Sequence, residues 1–357
     1  MLPKVYIIIV TWNSSKHITN LFLSLKDMDY PKSDWNIVVV DNNSSDGTIN
    51  KLRQWQHKMM NFDTIIQNKK NTGFSGGNNI GIEYALKHGA DYVALLNDDV
   101  IVEPNWLNNI IEPMEADQEV GLCQPLLTRY PEVHRINNFG NAYQFTGFGY
   151  SVGEGRRDKE FFTQFEQEKY EPAYNSFSTV VIRKQVLEQI GLMDQFYFMY
   201  HEDTDFCFRA RLQGWKLLAT RSAVVHHNYK FPSKKNKIRY FWLEKNRFYL
   251  MLKFFKLKTL ILILPAMLVM ETGLVLFSIY RGFFGYRVKA YIWVLANLRT
   301  ILKNRREIQV KRKFGDKKLY QFMTGIIDFQ EVNNPLLKYI GNPLMNFYFK
   351  IVKARVD

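Results

Sequence analysis

The feature that most limits what this chain can fold into is a set of apolar runs that each break off into polar side chains. Val5-Tyr6-Ile7-Ile8-Ile9-Val10 ends at Thr11-Trp12-Asn13, Ile37-Val38-Val39-Val40 at Asp41-Asn42-Asn43, and Tyr92-Val93-Ala94-Leu95-Leu96 at Asn97-Asp98-Asp99. Short unbroken apolar runs read as buried strands. Between them lie helical patterns at His17 to Leu25 and Ile80 to Lys87, with Thr64-Ile65-Ile66 as a further short strand. This order predicts an α/β fold, a mostly parallel sheet flanked by helices with right-handed crossovers. Ligands in such sheets bind at the carboxyl edge, where all three polar tails fall.

Signals weaken between 120 and 180, where Gly147, Gly149, Gly153 and Gly155 suggest a loop over 145–157. Val180-Val181-Ile182 reads as a strand, and Lys184 to Ile190 as a helix stopped by Gly191. An aromatic run, Phe196 to Tyr200, then leads into His201-Glu202-Asp203 and a helix from Asp203 to Gln213; Ala223-Val224-Val225 is a strand ending in His226-His227.

Charge divides the chain. Residues 1–230 hold 23 Lys+Arg against 27 Asp+Glu, whereas residues 231–357 hold 25 against 7. The break near 229–235 is the expected domain boundary, with a catalytic domain over 1–240, a connecting helix at 241–256, membrane-associated helices at 257–302 and a basic tail at 303–357. Thr259 to Tyr280 carries one charge, Glu271, and is long enough to cross a hydrocarbon core. Pro265, Gly273 and Glu271 weaken a plain span, so crossing the membrane and lying in its interface both stay open. Nucleic-acid binding would place positive charge at the open face, but the expected cleft is acidic. The start shows no secretory signal, and two cysteines, Cys123 and Cys207, imply no disulfide framework; both favour a catalytic domain in the cytoplasm.

The polar clusters suggest chemistry. Thr11, Asn13 and Asp41 form a shelf at the sheet edge, with Asp41 placed to accept from a nucleobase imide or ribose hydroxyl. Asn71, Gly73 and Asn78 belong to a Gly/Asn-rich loop, 71–79, whose backbone can approach a phosphate closely. Plain turns and helix caps would use the same residues. Asn97-Asp98-Asp99 supplies the oxygen ligands a hard cation such as Mg²⁺ or Mn²⁺ takes beside substrate phosphates. Glu202-Asp203 can supply a base for an acceptor hydroxyl, or simply favour the positive end of a helix.

Taken together, Val10-Thr11-Trp12-Asn13, Val40 to Thr48, Asn71 to Gly81, Leu95 to Asp99, Gly191 to Asp205, Arg209, Gly214-Trp215 and Ala223 to His227 resemble the family-2 glycosyltransferases with a GT-A fold. The likeness is to their bacterial and archaeal rhamnosyltransferase-like branch and spans about residues 4–255. It implies a Rossmann-like catalytic domain followed by an apolar, basic helical region. It further implies that Asp41 holds the nucleobase, Asp98 lies near the donor ribose or sugar, and Asp99 ligates Mg²⁺ or Mn²⁺. Asp203 would be the catalytic base and Glu202 would orient it or the acceptor. His227 matches the strand-end metal histidine better than His226. Asn97 stands where the family often has aspartate, and Ser178-Thr179 where relatives often have Gly-Ala.

The expected activity is inverting transfer of L-rhamnose or another hexose from a nucleotide-diphosphate sugar to a lipid-linked saccharide at the membrane surface. The alternatives are a non-catalytic nucleotide-sugar-binding protein anchored to the membrane and a sugar nucleotidyltransferase. The latter needs a basic Gly-rich loop after the first strand, where this chain has Asn13-Ser14-Ser15-Lys16.

Overall fold

The computed structural model describes residues 2–228, 237–328 and 335–357. It opens with β1 (Val5–Thr11), α1 (Ile18–Lys26), β2 (Trp35–Asp41), α2 (Thr48–Gln56), β3 (Phe62–Gln67), α3 (Gly73–Lys87) and β4 (Tyr92–Asn97), the anticipated alternation. Next come β5 (Val100–Val102), α4 (Trp106–Ala116), β6 (Val120–Arg129), β7 (Ile136–Asn138), β8 (Asn141–Gln144) and β9 (Phe148–Ser151). α5 (Asp158–Gln164), β10 (Lys169–Tyr170), β11 (Thr179–Arg183), α6 (Lys184–Ile190), α7 (Glu202–Gln213) and β12 (Lys216–His227) complete this part.

One sheet runs in the order β10-β12-β6-β11-β4-β1-β2-β3, with β5 on β12 and β7 on β6. β1 to β4 are mutually parallel, β12 is parallel to β6, and β11 is antiparallel to both β4 and β6. This is the mostly parallel GT-A-type sheet expected. On one face Ile7, Ile9, Ile37, Val39, Ala94 and Leu96 pack with Leu21, Phe22, Leu25, Trp106 and Ile110 of α1 and α4. Burying this apolar surface is the main force holding helices to sheet.

Two expectations need correction. The segment 71–79 is mostly helical: α3 starts at Gly73, seven residues before the helix expected from Ile80. Its glycines serve packing, since a Cβ on Gly77 would stand 2.7 Å from Val10 Cγ1, and one on Gly81 would collide with Ile8. Removing those side chains lets α3 settle onto β1. Within 120–180, where signals were weak, lies the ten-residue strand β6, and β9 occupies part of the expected 145–157 loop. β6 is almost wholly buried and therefore lacks the alternation that marks a half-exposed strand.

The chain separates into two compact units: Met1–Asn141, Ser151–Phe206 and Trp215–Lys230 form one, and Ala142–Tyr150, Cys207–Gly214 and Phe231–Asp357 the other. The division is therefore not one cut in sequence, and the expected boundary at 229–235 lies outside the described residues. The second unit contains α8 (Ile238–Phe254), α9 (Leu257–Tyr280), α10 (Phe284–Ala296), α11 (Leu298–Lys311), α12 (Asp316–Tyr320) and α13 (Asn342–Arg355). The described part of the basic segment 303–357 is thus largely helical.

Candidate active site

Parallel register places the polar tails side by side: Thr11 pairs with Asp41, and Val10 with Asn97. Thr11 Oγ1 donates to Asp41 Oδ1 at 2.9 Å, and Ser44 donates through its N–H to Asp41 Oδ2 at 2.9 Å and through Oγ to Oδ1 at 2.5 Å. Asp41 is thereby fixed in orientation at the edge, with lone-pair capacity left for one more donor. Asn13 takes a left-handed φ of 57°, and its Oδ1 accepts from Ser45 N–H at 2.8 Å. These bonds make the shelf a rigid one.

The loop between β4 and β5 carries the acidic cluster. Ser14 Oγ donates to Asp98 Oδ2, and burial pushes the Asp98 carboxyl up to about 7, against the lowering effect of that bond and with a further rise from Asp99. Asn97 closes β4 and enters the geometry through its backbone, its N–H donating to Ser178 O at 2.9 Å.

Asp99 directly precedes β5, whose Val100 pairs with His227. That register sets His227 Nε2 3.2 Å from Asp99 Oδ1. His226, one residue earlier, faces the other way, with Nδ1 2.6 Å from Thr128 Oγ1 and Nε2 2.7 Å from Glu103 Oε1. Alternation along a strand therefore separates the two histidines.

His227 Nδ1 lies 2.9 Å from Asn137 Oδ1, an acceptor; with the neutral ring's proton on Nδ1, the Nε2 lone pair would be the one to meet a cation. Asp99 Oδ1 is itself buried with no hydrogen-bond donor. Two lone-pair atoms at this separation suit a shared cation: adjacent ligands of an ion with ~2.1 Å bonds stand roughly 3 Å apart. Among the described residues no group of three or more His, Cys, Asp or Glu forms a closed metal cage. A divalent cation held by Asp99 and His227 would leave positions for substrate phosphates, so the residues present fit the group.

Glu202 and Asp203 begin α7. Three residues ahead of them take left-handed backbone angles, Phe198 (φ 65°), Tyr200 (φ 68°) and His201 (φ 67°). Such strain in bulky residues persists only where the surroundings enforce it. The start of α3 meets the first of them, Phe198. Asn79 clamps Met193 with two bonds of 2.8 and 2.9 Å, and Phe74 N–H donates to Phe198 O at 3.1 Å. Gly73, at φ +75°, lies so close that an added Cβ would stand 2.6 Å from Phe198 O. Asn71 Oδ1 accepts from Gly73 N–H at 2.8 Å, and the buried Asn78 donates to Phe74 O at 3.0 Å.

Asp203 Oδ1 accepts from Thr204 N–H at 2.7 Å and Oγ1 at 3.2 Å, whereas buried Glu202 Oε2 has no hydrogen-bond partner. Burial raises both carboxyls above the ordinary carboxylate range, and the Asp203 charge raises Glu202 further. The positive end of the helix opposes these shifts, but desolvation is the larger effect.

Two bridges bring the clusters to one edge. Asn42, next to Asp41, donates to Gly73 O at 3.0 Å, and α3 in turn holds the Phe198 turn. Ser178 holds Asn97, while Phe177 packs edge-on against Phe206, three residues beyond Asp203, at 5.5 Å. Ser14, Asn79 and Asn137 hold these groups in place but were not among the expected site residues, although Asn79 ends the Gly/Asn-rich segment. Ser14 sits within a polar tail, which is a weak signal; Asn137 has none.

Residues 6–191 match the family described as Glycosyl transferase family 2. The chain is 27% identical over 233 residues to the low-salt glycan biosynthesis hexosyltransferase Agl10 of Haloferax volcanii, covering 64% of this chain and 68% of that one. It is 25% identical over 241 residues to the N-acetylglucosaminyl-diphospho-decaprenol L-rhamnosyltransferase of Mycobacterium tuberculosis, covering 62% and 75%. A mannosyltransferase of Pyrobaculum calidifontis, solved with GDP-Man and Mn²⁺, superposes with a TM-score of 0.53 at 16% identity over 99% of this chain and 87% of that one. That last likeness shows the GT-A fold.

Proposed function

The chain belongs to glycosyl transferase family 2 and is a glycosyltransferase, and from that premise we propose an inverting, metal-dependent hexosyl transfer to a lipid-linked saccharide. The donor is a nucleotide-diphosphate sugar, of L-rhamnose or another hexose. The acceptor is a hydroxyl of a polyprenyl-diphosphate-linked glycan presented at the cytoplasmic face of the membrane. The relatives' names support this acceptor class, and so does the basic, apolar second unit.

Asp41, held by Thr11 and Ser44, receives the nucleobase, and Asp98 meets the ribose or sugar. Asp99 and His227 would hold a divalent cation, whose charge when bound would neutralise the leaving diphosphate. Asp203 takes the proton of the acceptor hydroxyl as that oxygen bonds to the anomeric carbon and the bond to the diphosphate oxygen breaks. One displacement leaves the anomeric configuration inverted. Glu202, buried beside Asp203 and holding its proton to higher pH, keeps a second negative charge away from the base. A carboxylate shifted toward neutral pH is a better base for a hydroxyl than an ordinary one.

The observation that carries the reading is the facing pair Asp99 Oδ1 and His227 Nε2 at 3.2 Å, on the sheet edge that also receives Glu202-Asp203. Thermal stabilisation by a panel of nucleotide sugars, with and without Mn²⁺, tests it. One donor should stabilise the protein only with the metal, and Asp203→Asn should keep that binding while losing transfer by at least ~10²-fold. Undiminished turnover by Asp203→Asn would sink the mechanism.

A further inference from the structure

The second unit contains a buried ionic network that the transfer chemistry does not use. Arg247 of α8 bonds Glu271 of α9 and, at 2.9 Å, Glu244; Arg287 of α10 bonds Glu244 and Glu271, each at 3.1 Å. Tyr291 OH adds a bond of 2.7 Å to Glu271. α9 is tied to α8 at its far end as well: Lys237 Nζ donates to Gly282 O at 2.9 Å, and Tyr240 stacks on Phe283 at 3.9 Å. At the near end α8 runs straight into α9 through Phe255 and Lys256. The two helices are therefore joined at both ends and, between them, through the Arg247–Glu271 pair.

α9 is buried only along the stripe Thr259, Ile263, Ala266 and Ser278. Around it Leu257, Ile261, Leu264, Leu268, Leu276 and Ile279 are at least half exposed. Water is a poor neighbour for so continuous an apolar surface. Cations flank its two ends, Arg281 and, paired with Asp357 at 2.7 Å, Lys258, and residues 231–357 hold 25 Lys+Arg against 7 Asp+Glu, complementary to anionic headgroups. If α9 crossed the bilayer, it would draw α8 in with it, together with Arg239, Glu244, Lys245, Arg247 and Lys253. Charges at that depth are strongly disfavoured.

We propose that α9 lies in the plane of an anionic membrane surface without crossing it, its exposed apolar side among the acyl chains and Glu271 held on the protein side by Arg247 and Arg287. This rests on the reading of a membrane-borne acceptor and specifies how the enzyme meets it: as a monotopic protein with both ends of α9 on the catalytic side. The partner is the lipid surface itself.

The test uses the full chain. Lys258→Cys and Arg281→Cys, one at a time, are probed in inverted membrane vesicles with a membrane-impermeant maleimide; the native Cys123 and Cys207 are buried. Both positions should react from the outer, catalytic side at comparable rates. Reaction of position 281 only after detergent would establish a crossing and overturn the proposal. In parallel, Leu268→Glu and Leu276→Glu should reduce flotation with phosphatidylglycerol-containing vesicles at least tenfold, with far-ultraviolet circular dichroism unchanged. Unaltered flotation, or a lipid-free dimer that these substitutions dissociate without affecting flotation, would overturn it too. The labelling reads topology whether or not a sugar is transferred, whereas the donor panel reads the transferase whatever its topology.

Discussion

Gly73→Ala separates two roles for the Gly/Asn-rich segment. If its backbone served mainly to admit a phosphate, the substitution would weaken donor binding. The geometry instead makes Gly73 the seat of the Phe198 turn, so the damage should fall on the base. Alanine at φ +75° costs about 1–2 kcal/mol in backbone strain. Its Cβ would meet Phe198 O at 2.6 Å against an ordinary contact of 3.4 Å or more, so the turn must retreat by ~0.8 Å. Displacement on this scale near a reacting group lowers turnover up to about 10²-fold. Steady-state transfer at saturating donor and acceptor should show kcat falling 10- to 100-fold, with donor KM changing less than about threefold. Asn79→Ala, which frees the Met193 backbone without straining any glycine, should move kcat the same way. A rise in donor KM at constant kcat in both variants would refute the clamp and restore the phosphate reading.

Further outcomes follow from the same geometry. His227→Ala should raise the Mn²⁺ concentration needed for activity more than tenfold, Asn137→Ala should do so by about tenfold, and His226→Ala should leave it unchanged; equal effects of the two histidines, read by metal titration, would contradict the assignment. Because burial raises Asp203 and the base must be ionised, kcat/KM should fall as pH drops through a value well above the ordinary aspartate range. A pH profile with its acid limb near 4 would show that the carboxyl is not desolvated in the working enzyme. Glu271→Gln should destabilise the second unit by about 3–5 kcal/mol, because Arg247 and Arg287, each 2% exposed, lose one of two shared carboxylates. Denaturant unfolding in lipid or detergent measures this, and a loss below about 1 kcal/mol would mean the network is well solvated.

The sequence by itself determined the α/β class, the strands β1, β2 and β4 with their polar ends, and the two acidic clusters, because apolar runs and the charges that close them are local properties. It also reported the basic, apolar character of the second part, which is a matter of composition. Tertiary structure alone decided between His226 and His227: the choice depends on β12 pairing with β5 across more than a hundred residues, which turns one imidazole toward Asp99 and the other toward Glu103. It likewise showed that the expected loop 71–79 is mostly helix and that Gly77 and Gly81 lie against β1, since what a missing side chain admits depends on what lies opposite. Glu271 shows the same limit. In sequence it is an isolated charge in an apolar helix; only folding supplies Arg247 and Arg287, and the cost of a buried charge is set by its neighbours in space.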